Sequence, residues 1–379
     1  MLLLHDERFS GWTLEDKLTR QHFSIQYMRF CRRKGWEPLL YTFHQKVKAQ
    51  QVYRLNDAGA LKIFPVKFRF PPFQRFGNDH NPQLIEQEAS EDMPDLVHFH
   101  HYYLFSFPYT AAFVKEKLRR PLTVQLHGYN NSFWRKWLYL PSLLTLKKAD
   151  RIIYSYKPEE SLYRKLGVIK KAVRIPVPGV DQKIFRRRKK GESNRLLYVG
   201  RIPKPEKAYG EKSPFILLHL LRNLLRKKDV VLDVVGDGPG LSHCQRLAHL
   251  LQLQDHISFH GYVPHTELPK YYQDAALTFS PIQVYDVDGW FDGAMQESLA
   301  CGTPPAAFKA SPNTPLRGTY GFMLSNNAEK AAEEVSLVLG TPGDADQMAK
   351  EGSRFVHQNC TYARLAEKLR ETWEDAVRA

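Results

Sequence analysis

The stretch VVLDVVGDGPGLSHCQRLAHLL, residues 230–251, reads as a strand over Val230–Val235, a glycine turn over Gly236–Gly240 and a helix over Leu241–Leu251. The same alternation extends on both sides. Leu196–Val199 is a strand, and Ser213 followed by Pro214 has the chemistry of an N-cap and first helical position, opening a helix over Phe215–Lys227. Downstream come strand Ile257–Phe259, helix Leu268–Asp274, strand Leu277–Phe279 and helix Ala294–Ala300. Short apolar runs alternating with helical stretches predict parallel α/β layers.

The first half repeats the pattern. Its strand candidates are Leu2–Leu4, Pro38–Thr42, Leu61–Val66, Leu96–His100, Leu122–Leu126, Arg151–Ser155 and Ala172–Ile175. Helical stretches include Arg20–Lys34, Ala111–Leu118 and Lys157–Leu166, the last ending at Gly167. A loop of prolines and glycine from Pro176 to Asp181, then the basic run Arg186–Lys190, marks a boundary. At 379 residues the chain is too long for one ordinary core. The expected architecture is α/β, two Rossmann-like domains over residues 1–185 and 186–361 facing an interdomain cleft. Ligands are expected beyond the carboxyl ends of the strands.

Composition narrows the partners. Residues 1–185 hold 30 Lys+Arg against 17 Asp+Glu, a net of +13, whereas residues 191–379 hold 20 against 23. An anionic partner therefore belongs with the first half. Bases interleave with aromatics at 67–76 (KFRFPPFQRF) and 133–140 (FWRKWLYL), a pattern that suits an anionic membrane surface and resembles nucleic-acid-binding composition. Core rings under a basic surface give the same pattern. Nucleic acid ranks below the membrane, and the basic run 186–190 reads as a solvated linker. No apolar run reaches the ~18 residues of a spanning helix. Met1–Leu4 reads as a strand rather than a signal peptide. Cys31, Cys244, Cys301 and Cys360 lie far apart, which excludes a zinc ribbon or redox pair and suits reduced thiols in a cytoplasmic protein.

Candidate site residues cluster at predicted strand ends. Gly200 permits a tight turn, and Arg201 and Lys207 after it can hold a diphosphate and stabilise the charge that grows as it leaves. Two solvated cations give the same sequence. Gly236, Gly238 and Gly240 have G-x-G-x-G spacing, which fits a structural turn better than a dinucleotide fingerprint. Backbone groups at Tyr262 and Val263 can meet a nucleobase edge. The stretch 280–304 (SPIQVYDVDGWFDGAMQESLACGTP) runs from an acidic loop into a helix whose first amides, at Gly293, Ala294 and Met295, can receive a phosphate. One turn further, Glu297 can accept both hydroxyls of a ribose. Asp286 and Asp288 also read as solvated residues near a helix N-terminus. His127 follows a strand in the first half. His98 and His100 share one strand face, with His101 on the other, and read as structural or acceptor-side groups.

In order and spacing these motifs resemble family-4 glycosyltransferases, the large retaining group with the GT-B fold. The matching stretches are 94–98, 126–128, 149–153, Ile175–Phe185, Gly200–Arg201 with Glu206–Lys207, 235–239, 259–264 and 297–304. The resemblance implies an enzyme, a hexosyltransferase taking its sugar from a UDP- or GDP-type nucleotide sugar to a glycan or lipid-linked acceptor. It implies no metal and no other cofactor. Arg201 and Lys207 would bind the donor diphosphate, Glu297 the ribose, His127 the transferred sugar, and Gly11, after the first strand, the donor phosphates. A last helix, about residues 362–377, would cross back to the first domain, which would bind the acceptor peripherally at the inner face of a membrane. Family members usually carry a Glu where this chain has Gly289, so either Asp288 or Asp292 would supply that carboxylate or the sugar would be held differently. Arg201 and Lys207 stand one residue further apart than is typical, which Pro203–Pro205 would absorb. The competing expectations are another GT-B enzyme, an epimerase or a phosphorylase, and a non-catalytic sugar-nucleotide-binding partner.

Overall fold

The computed structural model describes residues 1–6, 23–44, 47–65, 82–100, 111–126, 146–155, 159–175, 179–188, 193–204, 214–284, 293–309 and 318–379. The chain divides into two compact units, Met1–Pro176 with Tyr362–Ala379, and Val177–Thr361.

The first unit is built on strands β1 (Leu2–Asp6), β2 (Leu39–His44), β3 (Gln51–Leu55), β4 (Gly59–Pro65), β5 (Val97–His100), β6 (Leu122–Leu126), β7 (Arg151–Tyr154) and β8 (Ala172–Arg174). They form one sheet in the order β3-β4-β2-β1-β5-β6-β7-β8. Setting aside β3, which pairs antiparallel with β4, the order is that of a doubly wound sheet whose direction reverses between β1 and β5. Helices α1 (Phe23–Arg33), α2 (Pro82–Asp92) and α3 (Glu160–Lys165) belong to this unit. Residues of β5 and β6 are buried throughout, as expected of central parallel strands covered on both faces.

The second unit contains β9 (Arg195–Val199), α4 (Phe215–Leu224), β10 (Val231–Val235), α5 (Leu241–Leu250), β11 (Ile257–Gly261), α6 (Leu268–Asp274), β12 (Leu277–Val284), α7 (Gly293–Ala300), β13 (Pro305–Lys309), β14 (Phe322–Leu324), α8 (Ala328–Gly340) and α9 (Pro342–Asn359). The sheet order is β11-β10-β9-β12-β13-β14, all parallel. Counted within the unit this is 3-2-1-4-5-6, the dinucleotide-binding order, with its reversal between β9 and β12. The core lies under α4, whose Leu217, Leu218, Leu220, Leu221 and Leu224 are buried against the sheet and α8.

The final helix, α10 (Tyr362–Arg378), belongs to the first unit and packs on α1, β6 and β7. Its buried residues Leu365, Ala366, Leu369, Thr372, Trp373 and Ala376 recur at helical spacing, giving one stripe toward the sheet. Trp373 lies 1% exposed, edge-on to His98, and its indole N–H donates to His98 Nδ1 at 3.3 Å. That contact makes Nδ1 an acceptor and puts the ring proton on Nε2, where it donates to Gln125 Oε1 at 3.2 Å. The Thr123 hydroxyl donates to the same Nδ1, and His100 Nδ1 donates to the same Gln125 oxygen. Burial pulls the His98 pKa down to about 4, so the ring is neutral. His98 and His100 thus do share a strand face, and they serve as a structural network.

Three expectations change. The unit boundary falls before the basic run, at Pro176/Val177, because Val180 and Phe185 are buried in the second core and the Val180 N–H donates to the Cys360 carbonyl. The sheet of the first unit is mixed, through the β3–β4 hairpin. Helix α4 ends at Leu224, and Pro214 stands at its N-cap rather than inside its first turn. The four cysteines are free and buried, and burial pushes the Cys31 and Cys244 thiols up to about 12. No helix among the described residues is long and apolar enough to cross a membrane.

Candidate functional site

The carboxyl edge of the second sheet is laced by backbone hydrogen bonds between successive strand-end loops. Gly200 N–H donates to the Val235 carbonyl, Ile202 N–H to Asp237, and Gly240 N–H to Ile202. Gly236 N–H then reaches the Gly261 carbonyl at 2.8 Å. This close approach explains the glycines. Gly236 has φ +141°, and a Cβ there would stand 1.9 Å from the Gly200 carbonyl oxygen. A Cβ at Gly240 would stand 1.9 Å from that of Pro203. The G-x-G-x-G segment is therefore a turn that seats the β9 loop, as its spacing implies. The lacing fixes Gly200 and leaves the Arg201 side chain exposed at the sheet's reversal point, while Ile202 is buried beneath it.

Helix α7 flanks the other side of that point. It is pinned along its length. The Gly179 N–H donates to Gln296 Oε1 at 2.9 Å, and the Ser298 hydroxyl donates to the Thr303 carbonyl while accepting from the Thr278 hydroxyl. Met295 and Leu299 are buried in the core. Glu297 is held at the carboxylate, with 12% of its side chain exposed. Its Oε1 accepts from His265 Nε2 at 2.7 Å and its Oε2 from the Tyr272 hydroxyl at 2.8 Å. Burial pulls the His265 pKa down, but the hydrogen bond and charge of Glu297, with a smaller contribution from Asp181, outweigh it, so the net direction is up. His265 follows the β11 loop, so this bond ties the Tyr262–Val263 segment to α7.

A profile of the glycosyl transferases group 1 family matches residues 180–370, half of the chain. The chain belongs to this family. A second profile, Glycosyltransferase Family 4, matches residues 24–184 of this group 1 chain. The GDP-mannose-dependent alpha-(1-6)-phosphatidylinositol monomannoside mannosyltransferase of Mycolicibacterium smegmatis is 30% identical over 170 residues, 42% of this chain and 44% of that protein. The chain spans about half the length of the curated relatives it matches. Sucrose-phosphate synthase from Thermosynechococcus elongatus superimposes with a TM-score of 0.71 at 17% identity, covering 98% of each chain. The Anabaena protein HepE in complex with UDP gives 0.70 at 14% identity, covering 98% of this chain and 99% of that one. At such identities the likeness shows the fold alone, and the fold is GT-B.

Within this group 1 chain, Gly200, Arg201, Tyr262, Val263, Gly293, Ala294, Met295 and Glu297 all lie after the carboxyl ends of β9, β11 and β12. The lacing and the His265 bond join Gly200, the Gly261–Val263 loop and Glu297 into one edge. Tyr262 is 67% exposed, whereas Val263 packs against the core. The Met295 side chain is core, so only its amide is offered to a ligand. Gly11, His127, Lys207, Asp288 and Asp292 lie outside the described residues, as do Asp286 and Gly289. Sequence reading missed His265 and Tyr272. The only trace of His265 is its place just after the Tyr262–Val263 loop; Tyr272 reads as one more aromatic on a short helix.

Proposed function

We propose that the chain is a retaining glycosyltransferase that moves a hexose from a GDP- or UDP-sugar to a glycan or lipid-linked acceptor. The observation that carries this is the laced carboxyl edge at the reversal point of the second sheet, which offers an exposed cation at Arg201 and a held carboxylate at Glu297. A nucleoside diphosphate needs that pair: a cation for its phosphates and an acceptor for its ribose hydroxyls. Arg201, with Lys207, neutralises the diphosphate as it departs, and the amides at the start of α7 add to this. The bond from sugar C1 to the phosphate oxygen breaks while the acceptor oxygen bonds C1 on the same face. The acceptor proton passes to the departing phosphate oxygen. His127 contacts the transferred sugar, and Asp288 or Asp292 supplies the carboxylate absent at Gly289. No metal enters this scheme.

The curated relative's dependence on GDP-mannose and its phosphatidylinositol monomannoside acceptor make GDP-mannose with a lipid-linked mannoside the first pair to assay. The +13 charge of residues 1–185 supports an acceptor at an anionic membrane surface, with the protein bound peripherally. A thermal-shift screen with GDP-, UDP-, ADP- and dTDP-sugars tests the reading. One donor class is expected to raise the melting temperature and to be slowly hydrolysed, with hydrolysis lost in Lys207→Ala. Indifference to every nucleotide and nucleotide sugar contradicts it.

A further inference from the structure

The geometry points to His265 and Tyr272 as positioning residues that orient Glu297 so that its remaining lone pairs meet the two ribose hydroxyls of a nucleoside diphosphate. This rests on the donor reading above and adds to it the residues on which ribose recognition depends. A glutamate's terminal torsion is broad, so an unsupported carboxylate samples many planes. Here one oxygen is fixed by His265 and the other by Tyr272, at 2.7 and 2.8 Å. An ionised carboxylate offers about four lone-pair sites. The two donors take one on each oxygen and leave one on each, which is the pattern that a vicinal diol requires.

The two donors are themselves immobilised by one ring. Phe185 is fully buried, and it meets His265 edge-on at 4.9 Å and Tyr272 edge-on at 6.1 Å. The Tyr272 backbone is tied to the turn between α7 and β13 through the Thr303 hydroxyl, which donates to its carbonyl. Glu297 cannot donate when ionised, so both bonds require the proton on His265 Nε2 and on the Tyr272 oxygen. The acidic groups acting on His265 are Glu297 itself and Asp181. The clamp also has a consequence for the base. His265 links the β11 loop to α7, so contacts at Tyr262–Val263 and at the ribose are set by one rigid unit.

Calorimetric titration of GDP and UDP, and of their 2′,3′-dideoxy counterparts, into wild-type, His265→Ala, His265→Gln and Tyr272→Phe proteins tests this. For the tighter nucleotide, His265→Ala and Tyr272→Phe are each expected to weaken binding about tenfold, the scale of a lost hydrogen bond to a charged group. His265→Gln, which keeps an N–H donor, is expected to recover most of it. The decisive feature is coupling: against the dideoxy nucleotide the losses should shrink to less than about threefold. Equal losses against both nucleotides, or folded variants that bind the ribonucleotide as wild type does, overturn the assignment and leave the donor reading standing. Binding of neither nucleotide to the wild-type protein overturns both.

Discussion

With β3 and β8 of the first unit set aside, the two units share the strand order 3-2-1-4-5-6, and they use its central strands in opposite ways. In the first, the polar side chains on β5 and β6, His98, His100, Thr123 and Gln125, are buried and bonded to one another, and Trp373 closes over them. In the second, the strand ends turn away through tight glycine loops, and polar groups are presented at the edge, with Arg201 exposed and the Glu297 carboxylate supported from behind. One scaffold thus yields a sealed polar network that fastens a returning helix, and an open edge with an exposed cation and a held carboxylate. The difference lies in what covers the strands rather than in their order.

The sharpest way to break the contrast is at Arg201. If the second edge holds a leaving diphosphate, Arg201→Ala should lower turnover roughly 10²- to 10³-fold, with melting temperature unchanged because the side chain is exposed. Steady-state rates beside a melting curve check this. In the first unit the large effect should be on stability. Trp373→Ala removes a 1%-exposed ring and the indole donor to His98, and should cost about 3–5 kcal/mol in chemical denaturation. Gly236→Ala tests the lacing. Its Cβ has no room beside the Gly200 carbonyl and its φ disfavours any side chain, so a loss of about 2–3 kcal/mol is expected.

Two further effects are pH-dependent and opposite in sign. Burial lowers the His98 pKa to about 4, so the unfolded chain binds more protons between there and 6.5. Its stabilising contribution is present in full above 6.5 and lost as pH falls toward 4. The His265 pKa is raised, so its contribution is present in full below 6.5 and lost as pH rises through the folded value. Stability measured from pH 4 to 9 should therefore lose its acid-side slope in His98→Gln and its alkaline-side slope in His265→Gln. Unchanged slopes would show that neither ring titrates in the environment described.

Much of this was legible in the sequence because buried parallel strands announce themselves as short apolar runs and the glycines stand where loops touch. The β3 strand was not. Gln51–Leu55 is mostly exposed and carries no apolar run, and only the turn residues Asn56–Gly59 betray the hairpin. The unit boundary was displaced because Arg186–Arg188 of the conspicuous charge run are exposed while the unremarkable Val180 and Phe185 lie inside the core. Glu297 was identifiable as a carboxylate on an otherwise uncharged helix. Its partners were not, since His265 and Tyr272 meet it only once α6 and α7 pack, a relation that no local spacing encodes.

In the proposed function the laced edge of the second sheet grips a nucleoside diphosphate. Hydrogen exchange of the full chain, followed by mass spectrometry with and without the nucleotide sugar that stabilises it most, tests this directly. Slowed exchange is expected, concentrated in peptides covering Gly200–Lys204, Gly261–His265 and the first turn of the helix Gly293–Ala300. Saturating ligand that slows exchange only elsewhere, with those three segments unaltered, contradicts it.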